Sequence, residues 1–183
     1  FTEHYVRCKQ DKFGTSVLRE RYDWNVLAEA TERIVCALKW TGIGHFDFIA
    51  NSSLTEAYLL EMNPRWWGAL NLAVVNGFNF PLGLVTMLLD GKVAPDAFCD
   101  TVSARKSLWI VGELMACRAE MMQGKLSATL SSLRRILFPG AECAYDDFEW
   151  RDPLPLAAEF THYFGRFVQA RLRGRQAAFE TVR

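Results

Sequence analysis

The chain has 183 residues, half of them apolar, and its 21 basic and 21 acidic side chains leave a net charge near zero. A chain of this length can bury a hydrophobic core of its own. The balanced charge argues against nucleic acid or an anionic membrane as a partner, because both select basic surfaces. Five scattered cysteines are typical of free thiols in a reducing compartment, so we predict a cytoplasmic protein without a disulfide framework.

The first predicted elements are a strand and a helix. Residues 3–9 alternate weakly between polar and apolar, which favours a strand, and Arg7 is predicted to point from this strand into the site formed by later residues. The alternative for Arg7 is a solvated strand arginine without a role in the site. Asp23 is predicted to cap a helix over residues 24–40, which Gly42 would close. This helix has an apolar stripe and is interpreted as scaffold.

Two further strands are predicted to form a hairpin, over residues 46–50 and 56–62, around a short polar turn. If the hairpin is symmetric about Leu54, Asp47 lies directly opposite Glu61. Like charges placed opposite each other are destabilising unless something neutralises them. A divalent cation is the simplest neutraliser. The spacing therefore indicates a metal-binding pair of carboxylates.

The end of the second strand carries further candidate ligands. Leu59, Glu61 and Asn63 alternate onto one face, which places two oxygen donors about 7 Å apart on the same side. Pro64 ends the strand, and Arg65 directly after it could bind a phosphate through two parallel hydrogen bonds. Hard cations such as Mg²⁺ prefer carboxylate and carbonyl oxygens. The alternative is a structural ion pair in which Arg65 satisfies Glu61.

Two subsidiary predictions concern the neighbours of the acidic pair. The same symmetry would place Ile49 opposite Leu59. His45 is expected on the strand face away from Asp47, as a packed or surface histidine rather than a catalytic one.

The rest of the chain is predicted to be helical. Residues 66–89 contain no charged side chain, but Gly77 and Pro81 interrupt the run, so we predict two packed helices and no membrane span. Residues 145–155 are acidic and are predicted to form a surface connection. Helices are predicted over residues 66–75, 81–89, 103–123, 127–138 and 156–173.

These motifs resemble a known superfamily. Phe46-Asp47-Phe48-Ile49, followed after a gap by Leu60-Glu61-Met62-Asn63-Pro64-Arg65, is similar to the metal-binding end of ATP-grasp enzymes such as biotin carboxylase and carbamoyl-phosphate synthetase. The continuation through Trp66-Trp67-Gly68 and Asn76-Gly77-Phe78-Asn79-Phe80-Pro81 resembles the carboxylate–amine ligases of that superfamily. The resemblance covers roughly residues 6–91. It implies an α+β fold with a small antiparallel sheet flanked by helices.

The resemblance also implies an activity and a set of roles. An ATP-grasp ligase activates a carboxylate as an acyl phosphate, which an amine or similar nucleophile then attacks, and it uses ATP with two Mg²⁺ ions, for which Mn²⁺ can substitute. Arg65 would be the catalytic residue that stabilises the transferring phosphoryl group. By the same correspondence, Asp47, Glu61 and Asn63 would be metal ligands, and Ile49, Leu60 and Arg7 would contact the nucleotide.

The resemblance implies a division of the chain as well. Residues 1–98 would be part of the C-terminal ATP-grasp subdomain, and residues 99–183 a helical C-terminal extension. Such an enzyme needs an earlier subdomain with two nucleotide-binding lysines, so the isolated chain is expected to be inactive. The alternative is a non-catalytic or regulatory half that docks on a separate nucleotide-binding subunit. A homo-oligomer is left open.

Overall fold

The protein is described here by a computed structural model that covers residues 1–10, 13–51, 53, 55–101 and 103–180. Ser52 and Leu54 of the predicted turn lie outside these ranges. The architecture of the described residues is α+β, as predicted, with two small sheets and α-helices between and after their strands. A small antiparallel sheet was expected; the strands divide between a two-stranded antiparallel sheet and a four-stranded mixed sheet.

The larger sheet joins strands from both halves of the chain. β1 (Glu3–Gln10) pairs antiparallel with β2 (Phe13–Arg21), and β2 pairs antiparallel with β5 (Lys106–Leu108). The fourth strand, β6 (Cys143–Tyr145), runs parallel to β5, so the sheet is mixed. It therefore crosses the predicted boundary between residues 98 and 99.

The smaller sheet is the predicted hairpin. It consists of β3 (His45–Ala50) and β4 (Ala57–Asn63), paired antiparallel. Asn51 organises the turn, because its side-chain oxygen accepts hydrogen bonds from the backbone N–H groups of Thr55 and Glu56 at 2.9 and 3.3 Å. An Asn side chain used in this way replaces a backbone acceptor and favours a tight reversal.

The first three helices lie where they were predicted, but each begins at a different residue from the predicted one. α1 (Asn25–Leu38) begins after Trp24, not at an Asp23 cap, and it ends at Lys39 in the left-handed conformation instead of at Gly42. α2 (Leu70–Val75) starts four residues later than predicted, whereas α3 (Phe80–Asp90) has the Asn79 side chain as its N-cap.

The remaining helices are α4 (Ile110–Met122), α5 (Leu126–Leu137) and α6 (Leu154–Glu180). The prediction of one helix over residues 103–123 is wrong in its first part, because β5 precedes α4. α4 packs across β1 and β2 and against α5 and α6, while α2 packs on β5 and β6. The core lies between these layers and is formed by fully buried apolar side chains, among them Val17, Leu72, Ala73, Leu108 and Val111.

Among the described residues, no helix is both long and apolar enough to cross a membrane. The uncharged stretch of residues 66–89 instead forms α2 and α3, in agreement with its predicted division into two helices. All five cysteines are free thiols in the structure.

Candidate functional site

The hairpin register brings the two predicted carboxylates together. Asp47 pairs directly with Glu61, as predicted, so their side chains lie on the same face. The pairing shifts by one residue immediately beyond, where Phe48 pairs with Leu59 and leaves Leu60 as an extra residue on β4. Bulges of this kind occur next to active sites, where they redirect side chains.

This bulge overturns one subsidiary prediction. Ile49 pairs with Tyr58 and not with Leu59, because the symmetric register ends at Asp47. One extra residue in β4 leaves the spacing on the acidic side of the bulge unchanged and moves every pair on the turn side by one position.

Asn63 links the two carboxylates. Its amide nitrogen donates to Asp47 Oδ2 at 3.2 Å and to Glu61 Oε1 at 2.7 Å. The three predicted metal ligands therefore form one connected cluster, which we call the acidic cluster. Glu61 is exposed, whereas Asp47 and Asn63 are half-buried.

Two more side chains from other positions reach Asp47. His45 Nε2 lies 3.4 Å from Asp47 Oδ2, and the Tyr5 hydroxyl donates to Asp47 Oδ1 at 3.4 Å. The prediction that His45 faces away from Asp47 is wrong, because residues two apart on a strand share a face. Burial, together with the negative charges of Asp47 and Glu3, raises the pKa of Tyr5 to about 12, so this phenol stays a hydrogen-bond donor.

A cavity of about 750 Å³ opens beside the cluster. Its walls come from α1, β1 and β3, and they are largely aromatic. Asp47 and His45 form part of its polar lining, whereas Glu61 and Asn63 do not line it. The apolar lining includes Trp24, Leu27, Val35, Phe48, Ile49 and Phe80.

Glu3 is a polar wall residue that the sequence analysis missed. Its Oε2 atom is buried without a hydrogen-bond partner among the described residues. Burial raises the pKa of Glu3 to about 8, and the positive charge of Arg19 offsets this only in part. Arg19 is itself buried and forms an ion pair with the buried Asp146. A lone glutamate in an alternating strand is typical of a solvated position, so the pattern held no signal for this carboxyl group.

The raised pKa of Glu3 predicts a pH dependence of stability. Between about pH 4.5 and pH 8 the unfolded chain has lost the Glu3 proton while the folded chain keeps it, so the free energy of unfolding falls as pH rises. This group alone contributes a slope of about 1.4 kcal/mol per pH unit. We expect Glu3→Gln to remove that slope and to be more stable than the wild type at pH 8.

Urea unfolding of both proteins from pH 4 to pH 9 measures this difference. The two curves should converge near pH 4, where the glutamate is protonated in both states. Parallel curves across the whole range would show that Glu3 is ionised in the folded protein and would contradict its burial as an acid.

The structure does not bring Arg7 to the acidic cluster, contrary to its predicted direction. Its Nε donates to Glu113 Oε2 at 3.0 Å, and its Nη2 donates to Glu120 Oε1 at 2.5 Å. β1 is irregular on both sides of Arg7, with register shifts after Tyr5 and before Cys8. These shifts turn the guanidinium toward α4 and α5, away from the hairpin.

The remaining residues predicted to contact the nucleotide or its phosphates are Ile49, Leu60 and Arg65, and they have different surroundings. Ile49 lines the cavity, whereas Leu60 is 63% exposed at the bulge. Arg65 is exposed, and its Nη1 donates to the backbone oxygen of Trp66 at 3.1 Å. Among the residues that the structure describes, Arg65 forms no ion pair with Glu61, so the alternative of a structural Arg65–Glu61 pair has no support.

The donor set fits a hard divalent cation. The carboxylates of Asp47 and Glu61 both lie within hydrogen-bond distance of the Asn63 amide nitrogen. Mg²⁺ commonly takes one or two carboxylates from the protein and completes its shell with water and phosphate. Asn63 can present its oxygen after a half-turn of the amide. In the described part of the chain, no group of three or more histidine, cysteine, aspartate or glutamate side chains is arranged to hold a metal.

No family model, curated protein or solved structure matches this chain.

Proposed function

We propose that this chain carries the metal- and phosphate-binding part of an ATP-dependent ligase of the ATP-grasp type, which activates a carboxylate as an acyl phosphate for attack by an amine or similar nucleophile. The observation that carries the proposal is the direct pairing of Asp47 with Glu61 and their connection through Asn63. Two opposed carboxylates and an amide at one strand end have no role in building a core. They are suited to holding cations against a phosphate chain.

Each residue of the acidic cluster has a separate task in this proposal. Asp47 and Glu61 hold Mg²⁺, and Asn63 adds an amide oxygen. Bound Mg²⁺ would neutralise the charge that develops on the phosphate oxygens during transfer.

Arg65 supplies the remaining positive charge. It follows Asn63 by two residues, at the same end of β4, and its guanidinium has no carboxylate partner among the described residues. A planar guanidinium binds two phosphoryl oxygens at once, which stabilises a transferring phosphoryl group or an acyl phosphate.

The test is Mg²⁺-dependent ATP binding and turnover by the full-length protein. We expect Glu61→Gln, which keeps the shape of the side chain and removes its charge, to reduce Mg²⁺-dependent turnover on the order of a hundredfold or more. Glu142→Gln is the matched control, because Glu142 is an exposed glutamate in an ion pair with Arg105, far along the chain from the cluster. Undiminished turnover in Glu61→Gln would refute the metal role.

A second candidate function has its own supporting observation. The turn-side half of the hairpin exposes Ile49, Tyr58, Leu59 and Leu60, each between 43% and 63% accessible. Contiguous apolar surface of this kind marks protein interfaces, so the chain would be a non-catalytic half that docks on a separate nucleotide-binding subunit. In that case Leu60→Lys should weaken assembly with the subunit, and Glu61→Gln should leave ATP turnover of the assembly unchanged.

A further inference from the structure

The cavity beside the acidic cluster is bounded by two strand edges and one helix face. β1 is the outer strand of its sheet and β3 pairs with β4 alone, so each has an edge without a neighbouring strand among the described residues. Residues 1–5 and 44–51 line the cavity without a gap, as expected where a strand edge forms the wall. On the third side Leu27, Thr31 and Val35 lie four residues apart on α1 and share one helix face. The enclosed volume of about 750 Å³ is typical of a small-molecule site.

The acidic groups of this cavity are gathered around Asp47. The Tyr5 hydroxyl and His45 Nε2 each lie 3.4 Å from an Asp47 carboxylate oxygen. Glu3 belongs to the same end, since burial and, to a smaller extent, the charge of Asp47 raise its pKa to about 8. Most of the remaining wall is apolar or aromatic, so a ligand would meet a polar end and an apolar body.

The charge of the wall selects against anions. Its ionisable side chains are two carboxyl groups, two histidines and two tyrosines, and no lysine or arginine is among the described residues that line it. A wall of this sign repels the triphosphate of ATP and attracts a cation. Glu3 Oε2 is buried in this wall without a hydrogen-bond donor among the described residues. An ammonium group carries three donors, and its charge favours the ionised form of a nearby carboxyl group.

Aromatic rings in the wall favour a cation as well. The ring centroid of Trp67 lies 6.2 Å from that of His45 and 5.3 Å from that of Phe80. A second pair, Tyr22 and Trp24, has its centroids 6.2 Å apart. The face of an indole ring attracts a cation within about 6 Å of its centre, and the attraction is strongest where water is excluded. Through His45, Trp67 adjoins the acidic end, where the ammonium group is expected.

We propose that this cavity binds an organic monocation, an amine whose ammonium group lies beside Glu3, Asp47 and Trp67 and whose aromatic or branched apolar body packs against α1 and β3. The acidic end supplies the charge complement, and the apolar wall supplies the surface that the body of the ligand buries. Use of this amine as the nucleophile of a ligase rests on the proposed function. Binding of the amine does not, and it is therefore tested without ATP or metal.

Isothermal titration calorimetry with three ligands of matched shape tests the preference for a cation. Phenylbutylamine, phenylbutanol and phenylbutanoate share an apolar body and differ in the charge of the head group. At about pH 8.5, above the pKa of Glu3 and below that of an alkylammonium group, the amine should bind the wild type at least about tenfold tighter than the alcohol, and the carboxylate should bind weakest. No binding of the amine, equal binding of the amine and the alcohol, or tightest binding of the carboxylate overturns the proposal.

Adenosine tests the competing occupant. Ile49, predicted to contact the nucleotide, lines the cavity, and a nucleoside without phosphates carries no negative charge for the wall to repel. We expect adenosine to bind more weakly than phenylbutylamine, because it has no cationic group to pair with Glu3 and Asp47. Tighter binding of adenosine would identify a nucleoside site and overturn the proposal.

Glu3→Gln tests the acidic end of the cavity. The variant should bind phenylbutylamine at least about tenfold more weakly than the wild type at the same pH, because it removes a negative charge from a poorly solvated wall. Its affinity for phenylbutanol should not change. The variant is expected to be more stable than the wild type at pH 8, so weaker binding does not reflect unfolding. An unchanged affinity for the amine, or an equal loss for the alcohol, contradicts the role of Glu3.

A cavity-filling variant tests the location of the ligand. Thr31→Trp places an indole ring in the space that the apolar body would occupy, so it should abolish binding of both the amine and the alcohol. Glu29→Trp is the matched control, because Glu29 is exposed two residues earlier on α1 and lies on the other side of the helix. Circular dichroism checks that both variants are folded. If folded Thr31→Trp binds the amine as tightly as Glu29→Trp does, the ligand lies elsewhere and the proposal is overturned.

Discussion

Replacing Glu113 by glutamine is expected to lower the free energy of unfolding by about 3 to 5 kcal/mol, because it uncharges the centre of a buried ionic network. Glu113 is fully inaccessible on α4 and accepts from Arg7 Nε at 3.0 Å and Arg135 Nε at 2.8 Å. Glutamine keeps the shape of the side chain but turns its N–H₂ group toward the guanidinium of either Arg7 or Arg135. Without the negative charge between them, these two guanidinium groups also repel each other. Loss on this scale is a large fraction of the stability of a domain.

No single neighbouring carboxylate can replace the lost charge of Glu113. Glu120 lies on the same side, and although burial raises its pKa, hydrogen bonds from Arg7 and Ser132 and the charges of both arginines hold that pKa below its usual value. It is therefore already engaged by the same cations. Glu142→Gln is the control, since its ion pair with Arg105 is about two-thirds exposed and should contribute less than about 1 kcal/mol. Similar urea midpoints for the two variants would contradict the network's role.

Replacing Gly77 by alanine is expected to cost at least about 3 kcal/mol, for two independent reasons. Gly77 has φ +85°, a conformation that residues with a Cβ rarely adopt, and an added Cβ would lie 1.7 Å from the backbone oxygen of Cys99. The loop around Cys99 cannot move away freely, because Cys99 donates its backbone N–H to the Gly77 oxygen at 2.9 Å and Phe98 forms an isolated β-bridge with Phe78. Thermal unfolding of the variant measures the loss.

Gly91→Ala separates the two causes. Gly91 also has a positive φ, +69°, at the end of α3, but an added Cβ would meet nothing within 4 Å. Only the conformational strain should remain there, on the order of 1 kcal/mol. If Gly77→Ala proved no more destabilising than Gly91→Ala, the close approach of the Cys99 carbonyl would have no energetic consequence.

The sequence could predict that Asp47 and Glu61 share one face of a hairpin, because side chains alternate between the two faces along each strand. Asp47 and Glu61 meet because a short turn joins two extended segments and the extra residue Leu60 brings Glu61 opposite Asp47; the register next to the turn, in which Ala50 pairs with Ala57, would by itself place Asp47 opposite Leu60. The bulge at Leu60 could not be predicted, because one additional residue changes the pairing without changing the composition of either strand. The same alternation should have placed His45 beside Asp47, so that error lay in the inference and not in the sequence.

Contacts between distant parts of the chain account for the remaining errors. β5 and β6 have three residues each and exist because they extend a sheet begun by β2, which no local pattern reveals. Glu3 and Glu113 look like solvated charges in sequence, and only packing by residues far along the chain buries the Glu3 Oε2 atom and the whole Glu113 side chain. The apolar period predicted α5 correctly, but it favours a leucine face turned inward, whereas Leu126, Leu130 and Leu137 are exposed and the hydrogen-bonded Ser132 is buried.

The claim on which the proposed function depends is that Asp47 and Glu61 bind a divalent cation together. Electron paramagnetic resonance of Mn²⁺ measures free ion directly, so a titration of the full-length protein with Mn²⁺ and ATP gives the number of bound ions. The wild type should bind Mn²⁺ in an ATP-dependent manner, and Asp47→Asn and Glu61→Gln should each weaken that binding at least about tenfold. Unchanged Mn²⁺ binding in both variants would contradict the account.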